Sequence, residues 1–180
     1  MSGQPERNVA AEQRFADVFS HLGLITAYAQ RRGVPDPDDI AADVMTIAWR
    51  RLTHVPVDDP RPWLIATARN LILADRRKHP AESELDAQDS TDAIDPLSAI
   101  AALDPELESA LRTLSHSDRE ALLLLAWEDL TPKAAAASLG ITQAAFRVRL
   151  HRARRRLIGE LESDQPSRRA QSRRAPVEEP

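Results

Sequence analysis

The segment LTPKAAAASLGITQAAFRVRLHRARRRL constrains the fold more than any other part of the chain. Thr131 followed by Pro132 is typical of a capped helix start, and the four alanines after Lys133 leave room for another helix to approach closely. Gly140 can adopt the left-handed backbone of a turn. Thr142 can then cap a second helix, which we expect to end near Leu161. Two helices joined at a glycine turn are the pattern of a helix-turn-helix.

The second helix of this pair carries a high density of arginine. Its expected buried stripe, at helical spacing, is Phe146, Leu150, Ala153 and Leu157. Six arginines follow Gly140 before the end of this stripe, although the whole chain has a formal net charge of −4. Because arginine makes bidentate contacts to guanine and close contacts to phosphates, we expect this helix to enter the DNA major groove. An ordinary amphipathic helix with a solvated basic face is the alternative.

The composition favours an all-α, cytoplasmic protein. Hydrophobic residues make up 42% of the chain, there are only five glycines, and runs of strand-forming residues are scarce. The absence of cysteine excludes disulfides and cysteine-ligated zinc and fits a reducing compartment. No apolar run approaches the roughly 20 residues that cross a bilayer, and the N-terminus lacks the apolar core of a signal peptide. We therefore expect no membrane insertion.

Charge and helical periodicity predict two small helical domains joined by a flexible acidic linker. The stretch 79–110 contains nine acidic residues and no lysine or arginine, so its first half cannot bury much apolar surface. We expect a tether between separately folded domains; an acidic mimic of nucleic acid is the alternative. The expected divisions are an N-terminal tail over 1–11, a first domain over 12–78, the linker over 79–106, a helix-turn-helix domain over 107–162 and a disordered tail over 163–180.

Three helices are expected in the first domain. The first runs over 12–32 as one amphipathic helix. The second begins with Asp36 as its cap and Pro37 at its first position, and the third begins near Pro62. In the second domain, the helix before the helix-turn-helix is expected to have Ser115 or Ser117 as its cap. Glu120, three residues after the second of these serines, would complete a capping box.

Three motifs, in this order, resemble those of the bacterial RNA polymerase sigma factors of the extracytoplasmic-function (ECF) group. They are DPDDIAADVMTIAWR, WLIATARNLILADRRK and the LTPKAAAASLGITQAAFRVRLHRARRRL segment. The chain departs from the family pattern at Ala42, Asp43 and Val148, and at the alanine pair Ala134 and Ala135. The resemblance covers both domains and implies a protein that binds core RNA polymerase and directs it to promoters.

The resemblance also implies roles for individual residues. The second helix of the first domain would dock on the coiled coil of the beta-prime subunit, and the third would open and recognise the −10 element, with Asn70 near a flipped base. Trp49 and Trp63 could instead be core residues, and Asn70 could instead cap a neighbouring loop. The expected polymerase-binding residues are Asp39, Asp43, Trp49 and Arg50. The expected phosphate-binding residues near the −10 element are Arg69, Arg76, Arg77 and Lys78.

The helix-turn-helix domain would recognise the −35 element and also contact the flap of the beta subunit. Base contacts are expected from Gln143, Arg147, Arg149 and His151, and phosphate contacts from Arg154 and Arg155. The family further implies an anti-sigma factor as a partner.

No other chemistry competes with this interpretation in the sequence. The five histidines have no metal-ligand spacing, and a glycine-rich phosphate loop is absent. We therefore expect neither an enzyme nor a cofactor. Two alternatives remain open: a helix-turn-helix regulator that binds DNA by itself, and a sigma-like decoy that binds an anti-sigma factor instead of polymerase.

Overall fold

The structure, a computed structural model, describes residues 3–78, 97, 100 and 104–172, and every regular element in this part of the chain is helical. The predicted all-α class is confirmed. Most of the predicted linker and the last eight residues lie outside the described residues. The N-terminal unit consists of α1 (Gly3–Phe19), α2 (Leu22–Gln30), α3 (Pro37–Arg50), a 3-10 turn (Leu52–His54) and α4 (Arg61–Lys78). The C-terminal unit consists of α5 (Pro105–Thr113), α6 (His116–Ala126), α7 (Pro132–Ser138) and α8 (Gln143–Ser172).

The single helix expected at the start of the chain is broken into α1 and α2. The Ser20 hydroxyl donates to the carbonyl of Asp17 (2.6 Å), and the His21 N–H bonds the carbonyl of Val18 (3.1 Å) instead. Serine side chains compete in this way for helix carbonyls, which explains a break that the apolar spacing does not show. The expected tail over 1–11 is also wrong from Gly3 onward, because α1 includes it.

The predicted start of α3 is confirmed. The Asp36 carboxylate accepts a hydrogen bond from the N–H of Asp39 (3.2 Å), and Pro37 takes the first helical position. At the other end of the chain, α8 continues to Ser172, beyond the expected Leu161 and into the tail that was expected to be disordered.

The two units pack against each other and share one hydrophobic core. One continuous cluster of buried residues includes Ile65 and Tyr28 of the N-terminal unit and Leu124 and Phe146 of the C-terminal unit. The short helix α7 contacts α8 on one side and α4 on the other. Its small buried alanines let both neighbours approach closely. The close approach predicted for the alanine run therefore applies to α4 of the N-terminal unit as well as to α8.

A smaller apolar cluster fixes the beginning of the C-terminal unit. Leu97, from the stretch predicted as linker, is fully buried against Leu111 and Leu114, and Ile100 packs on the same cluster. The chain therefore packs on the C-terminal unit some residues before α5 begins. None of the helices in the described residues combines the length and apolarity that a membrane span requires.

Candidate nucleic-acid interface

The turn between α7 and α8 has the caps and the glycine conformation that the sequence predicts. The Thr131 hydroxyl accepts a hydrogen bond from the N–H of Ala134 (3.2 Å), and that of Thr142 accepts one from the N–H of Ala145 (3.1 Å). Gly140 has a φ of 66°, in the left-handed region. These contacts end α7 and begin α8 at defined residues, and so they fix the direction in which α8 leaves the turn.

Burial of one stripe determines which side of α8 faces solvent. Phe146, Leu150 and Ala153 are buried and Leu157 is half-buried, as predicted. On the opposite side, four residues recur at spacings of three and four and are all exposed, so they share one face of the helix. We call this the α8 basic face; it comprises Gln143, Arg147, His151 and Arg154.

The other arginines of α8 lie beside or away from this face. Arg155 is exposed and follows His151 by one helical turn, at the edge of the face. Arg149 is half-buried, and it lies about 200° around the helix from Arg147. Arg156 donates a hydrogen bond to the Asp118 carboxylate of α6 (2.8 Å). The structure therefore separates Arg149 from the other residues expected to recognise the −35 element.

A cleft between α3 and α4 brings together residues that the sequence assigned to different roles. It has a volume of about 530 Å³ and is lined by Arg50 and Arg51 from the end of α3 and by Trp63, Thr67 and Asn70 of α4, among others. Asn70 is exposed and makes no side-chain hydrogen bond to any residue that the structure describes, which argues against a loop-capping role. The three α4 residues lie at helical spacing, so Thr67 could have been found from the sequence.

The remaining candidates on α3 lie on its outer surface. Asp39 and Asp43, one turn apart, are both exposed. Trp49 is 48% exposed and packs edge-on against Phe15 of α1, with ring centroids 5.0 Å apart. Phe15 in turn contacts Phe19, which is 47% exposed. Trp49 is thus not a core residue, and α1 adds two aromatic side chains that the sequence analysis did not assign to this surface.

Ion pairs between the two units involve one of the expected DNA-binding residues. The Arg69 Nε lies 3.1 Å from a carboxylate oxygen of Glu120 on α6. Arg31, at the end of α2, donates to Glu128 (2.5 Å), and Arg32 lies 3.7 Å from the same carboxylate. The side chain of Glu128 is fully buried and that of Glu120 is 6% exposed. Arg69 is therefore paired with protein in this arrangement.

The expected capping box at the start of α6 is wrong. The cap is Ser115, whose hydroxyl accepts from the N–H of Asp118 (3.2 Å), so Ser117 lies inside the helix. Glu120 is consequently turned away from the helix start and faces the N-terminal unit. Its role depends on contacts distant in sequence, which a local spacing pattern does not contain.

The basic end of α4 differs from residue to residue. Arg76 is exposed and donates to the carbonyl of Arg32 (2.7 Å), while Arg77 is exposed to solvent. Lys78 is the last residue of α4, and its side chain lies outside the described residues. Arg76 and Arg77 thus remain accessible at the end of the helix that carries Asn70.

Comparison with known proteins places this geometry in a family. The RNA polymerase sigma factor NccH of Alcaligenes xylosoxydans xylosoxydans is 30% identical over 165 residues, which cover 84% of this chain and 88% of NccH. The chain belongs to the RNA polymerase sigma factors of the extracytoplasmic-function group. Residues 104–157 of this sigma factor also match the family model for sigma-70, region 4. These residues include α5, α6, α7 and the first half of α8.

Further relatives agree with this assignment. The probable RNA polymerase sigma factor RfaY of Xanthomonas campestris pv. campestris is 36% identical over 146 residues, and the match spans 75% of this sigma factor but only 36% of RfaY. The sigma factor RpoE of Bartonella quintana, solved in complex with the anti-sigma factor NepR, shares the fold with a TM-score of 0.58. It is 24% identical and covers 83% of this sigma factor and 96% of its own chain.

A second solved structure has a similar fold. CnrH, in complex with the cytosolic domain of CnrY, is 27% identical and has a TM-score of 0.56. The match covers 87% of this sigma factor and 97% of CnrH.

Sigma factors initiate transcription and are not enzymes. Among the described residues of this sigma factor, no group of side chains could hold a metal ion.

Asp59 and Tyr28 have pKa values that are shifted from their usual ranges. The Arg61 side chain donates to both oxygens of Asp59 (2.9 and 3.1 Å), and this contact holds the pKa of the Asp59 carboxyl below its usual value. Asp59 lies in the loop that leads from α3 into α4, and Arg61 is the first residue of α4. Tyr28 is buried in the shared core of this sigma factor, and burial raises the pKa of its hydroxyl strongly. Both groups therefore keep one protonation state near neutral pH.

Proposed function

We propose that this sigma factor binds core RNA polymerase and directs it to promoters that carry −10 and −35 elements. The observation that supports the proposal most directly is the α8 basic face. A stripe of buried residues turns Arg147, His151 and Arg154 to solvent on the helix that follows a capped glycine turn. A helix presented in this way fits the DNA major groove, where arginine can make bidentate contacts to guanine.

For the −10 element, we propose the cleft between α3 and α4. A base removed from the duplex needs a pocket, stacking and hydrogen-bonding groups. Trp63 is half-buried at the cleft and offers a ring, and Asn70 offers an exposed amide. Arg76 and Arg77 lie one to two turns further along α4 and are proposed to contact phosphates, together with Lys78.

For polymerase, we propose the outer surface of α3. Asp39, Asp43 and Arg50 lie at helical spacing and are exposed, with Trp49 beside them. Exposed aromatic side chains are common at the centre of protein interfaces, and Phe19 extends the apolar part of this surface. The proposed partner is the coiled coil of the beta-prime subunit, and the C-terminal unit would contact the beta flap.

We also propose regulation by an anti-sigma factor in the cytoplasm. RpoE and CnrH, which share this fold, were solved with the anti-sigma factor NepR and with the cytosolic domain of CnrY, respectively. Affinity capture with the intact chain would identify the corresponding partner.

Run-off transcription with purified core polymerase on a library of genomic fragments tests the proposal. We expect transcripts from a small set of fragments that share two spaced sequence elements, and only when both proteins are present. Tight duplex binding without polymerase would favour the stand-alone regulator. Binding of an anti-sigma factor without any promoter-specific transcript would favour the decoy.

Arg147 and Arg152 form a matched pair of variants for the −35 assignment. Both arginines are exposed on α8, but Arg152 lies outside the α8 basic face. Arg147→Ala should weaken binding to the −35 element by about 1–3 kcal/mol, the usual value of one base contact, and so lower −35-dependent transcription. Polymerase binding should stay unchanged. Arg152→Ala removes the same charge and should have a smaller effect. Equal effects of the two variants would contradict recognition by this face.

A further inference from the structure

One large apolar side chain, Val148, is exposed on the side of α8 that faces solvent. It is 50% exposed, follows Arg147 directly and belongs to neither hydrophobic cluster of the described residues. A single exposed apolar residue is common on protein surfaces, and helix propensity does not favour valine. Its position on α8, rather than its exposure alone, distinguishes Val148.

Val148 lies on the side of α8 that is furthest from the body of the protein. Phe146 and Leu150, two residues before and two residues after it, are both buried. Residues two apart lie about 200° apart around an α-helix, so Val148 lies opposite the buried stripe. It is also the sixth residue of α8, and the early residues of a recognition helix are the ones that contact base edges.

The residues one turn away from Val148 leave it accessible to a DNA duplex. Ala144 and Ala145, before it, are exposed and small, and His151 of the α8 basic face, after it, is exposed. A duplex bound by the basic face would therefore also approach Val148. Valine in a helix has one strongly preferred χ1 rotamer, so a contact made by Val148 costs little side-chain entropy.

An apolar side chain in the major groove has a restricted choice of partner. Among the four standard bases, thymine alone carries a methyl group there, on C5, and the remaining edge groups include hydrogen-bond donors and acceptors. Valine can bond none of these polar groups, and covering them without a partner costs free energy. Val148 therefore favours thymine through apolar contact and disfavours other bases through desolvation.

We propose that Val148 contacts the C5-methyl group of a thymine in the −35 element and determines the preference for thymine at that base pair. The inference rests on the proposed function, because it requires α8 to enter the major groove of the −35 element. It adds to that function the identity of one base and a specificity residue that acts without hydrogen bonds.

Deoxyuridine differs from thymidine only by the missing methyl group, and so it isolates the proposed contact. Holoenzyme assembled from the full chain and core polymerase is bound to promoter fragments identified by run-off transcription. In these fragments each thymine of the −35 element is replaced by deoxyuridine in turn. We expect one replacement to weaken binding about fourfold, the value of one buried methyl-sized group.

Three variants relate this difference to Val148. V148S removes both methyl groups, and its holoenzyme should bind the thymine and deoxyuridine fragments equally well. V148T keeps one methyl group and should keep part of the difference. The matched control I158S removes another exposed apolar side chain of α8, 54% exposed and about three turns further along, and should keep the full difference.

Several results would overturn the proposal. They are a −35 element without thymine, the absence of any effect of deoxyuridine, and a V148S holoenzyme that still distinguishes the two fragments. Loss of assembly with core polymerase in V148S would assign Val148 to a protein contact instead. 5-Methylcytosine offers the same methyl group, so tighter binding to fragments with this base, without any effect of deoxyuridine, would contradict the assignment to thymine.

Circular dichroism checks that the variants are folded, and V148A is subject to the same criteria if V148S unfolds. A holoenzyme that directs no promoter-specific transcript would contradict the proposed function. Promoter-directed transcription without dependence on the methyl group would contradict only this inference.

Discussion

Tyr28 is the only tyrosine of the chain, and it is buried with its hydroxyl unpaired among the described residues. A buried hydroxyl without a partner costs free energy, whereas its ring contributes packing. Arg32 stacks on that ring, so the ring rather than the hydroxyl is the stabilising part. Substitutions at Tyr28 can therefore distinguish the contribution of ring packing to the free energy of unfolding from that of the hydroxyl group.

We predict that Tyr28→Phe leaves the free energy of unfolding unchanged or raises it by up to about 1 kcal/mol, because the substitution removes an unpaired polar group. Tyr28→Leu, which removes the ring, should lower it. Chemical denaturation followed by circular dichroism measures both. A clear loss of stability in Tyr28→Phe would mean that the hydroxyl has a partner.

Burial raises the pKa of Tyr28 above that of the unfolded chain, which predicts a loss of stability at alkaline pH. The unfolded state loses the proton at about pH 10 and the folded state does not, so the folded state is increasingly disfavoured above that pH. Tyrosinate absorbance should appear only together with unfolding. Tyr28→Phe should lose less stability over the same pH range, and tyrosinate formation in the folded protein would contradict the prediction.

Asn70 is exposed at the cleft, and so we predict that Asn70→Ala leaves stability and polymerase binding unchanged. It should relax the preference at one −10 position by about 1–3 kcal/mol, the usual cost of one mismatched base pair. Permanganate footprints on matched and altered promoters measure this. Asp75→Asn, an exposed change on the same helix, serves as the control, and an unaltered base preference in Asn70→Ala would contradict the assignment.

At the scale of the elements, the turn at Gly140 depends on backbone conformation alone. An added Cβ would meet no atom within 4 Å, yet the φ of 66° is unfavourable for other residues. Gly140→Ala should therefore lower the free energy of unfolding by about 1–2 kcal/mol. Gly23→Ala, also without a neighbour within 4 Å but inside α2, should raise it by about 0.5–1 kcal/mol. Thermal unfolding of both variants measures the opposite signs.

The elements also show what the sequence can predict. Caps depend on residues three apart, and so Asp36, Thr131 and Thr142 were identified correctly, as was the buried stripe of α8. The break at Ser20 was missed because a hydroxyl competing for one carbonyl does not disturb the apolar spacing. The assignment of Glu120 was wrong because its partner, Arg69, is 51 residues away in sequence.

The candidate site likewise contains features that the sequence predicts and features that only packing determines. Helical spacing predicted the buried stripe of α8, whereas the resemblance grouped Arg149 with Arg147, although residues two apart do not share a helix face. The resemblance to sigma factors pointed to Asn70, yet the cleft that Asn70 lines with Arg50 depends on how α3 packs on α4. The roles of the individual site residues remain predictions.

At the scale of the whole molecule, the shared core predicts one cooperative unfolding transition. Ile65 and Leu124 lie in different units but in the same buried cluster. Ile65→Ala and Leu124→Ala should each lower the free energy of unfolding by about 2–5 kcal/mol. Both substitutions should shift the same single transition. Calorimetry combined with fluorescence measures whether both units respond together. Two transitions, each shifted by only one of the substitutions, would contradict a shared core.

The position of α7 has a consequence for how such a protein can diverge. Ala135 and Ala136 are buried, and their helix contacts α8 on one side and α4 on the other. A larger side chain there would displace two neighbours at once, so few substitutions are tolerated. The exposed residues of the α8 basic face carry no such restriction. Because the α8 basic face is proposed to recognise the −35 element, we expect descendants of this chain to acquire new promoter preferences by changing α8 while they inherit the packing of α7 unchanged.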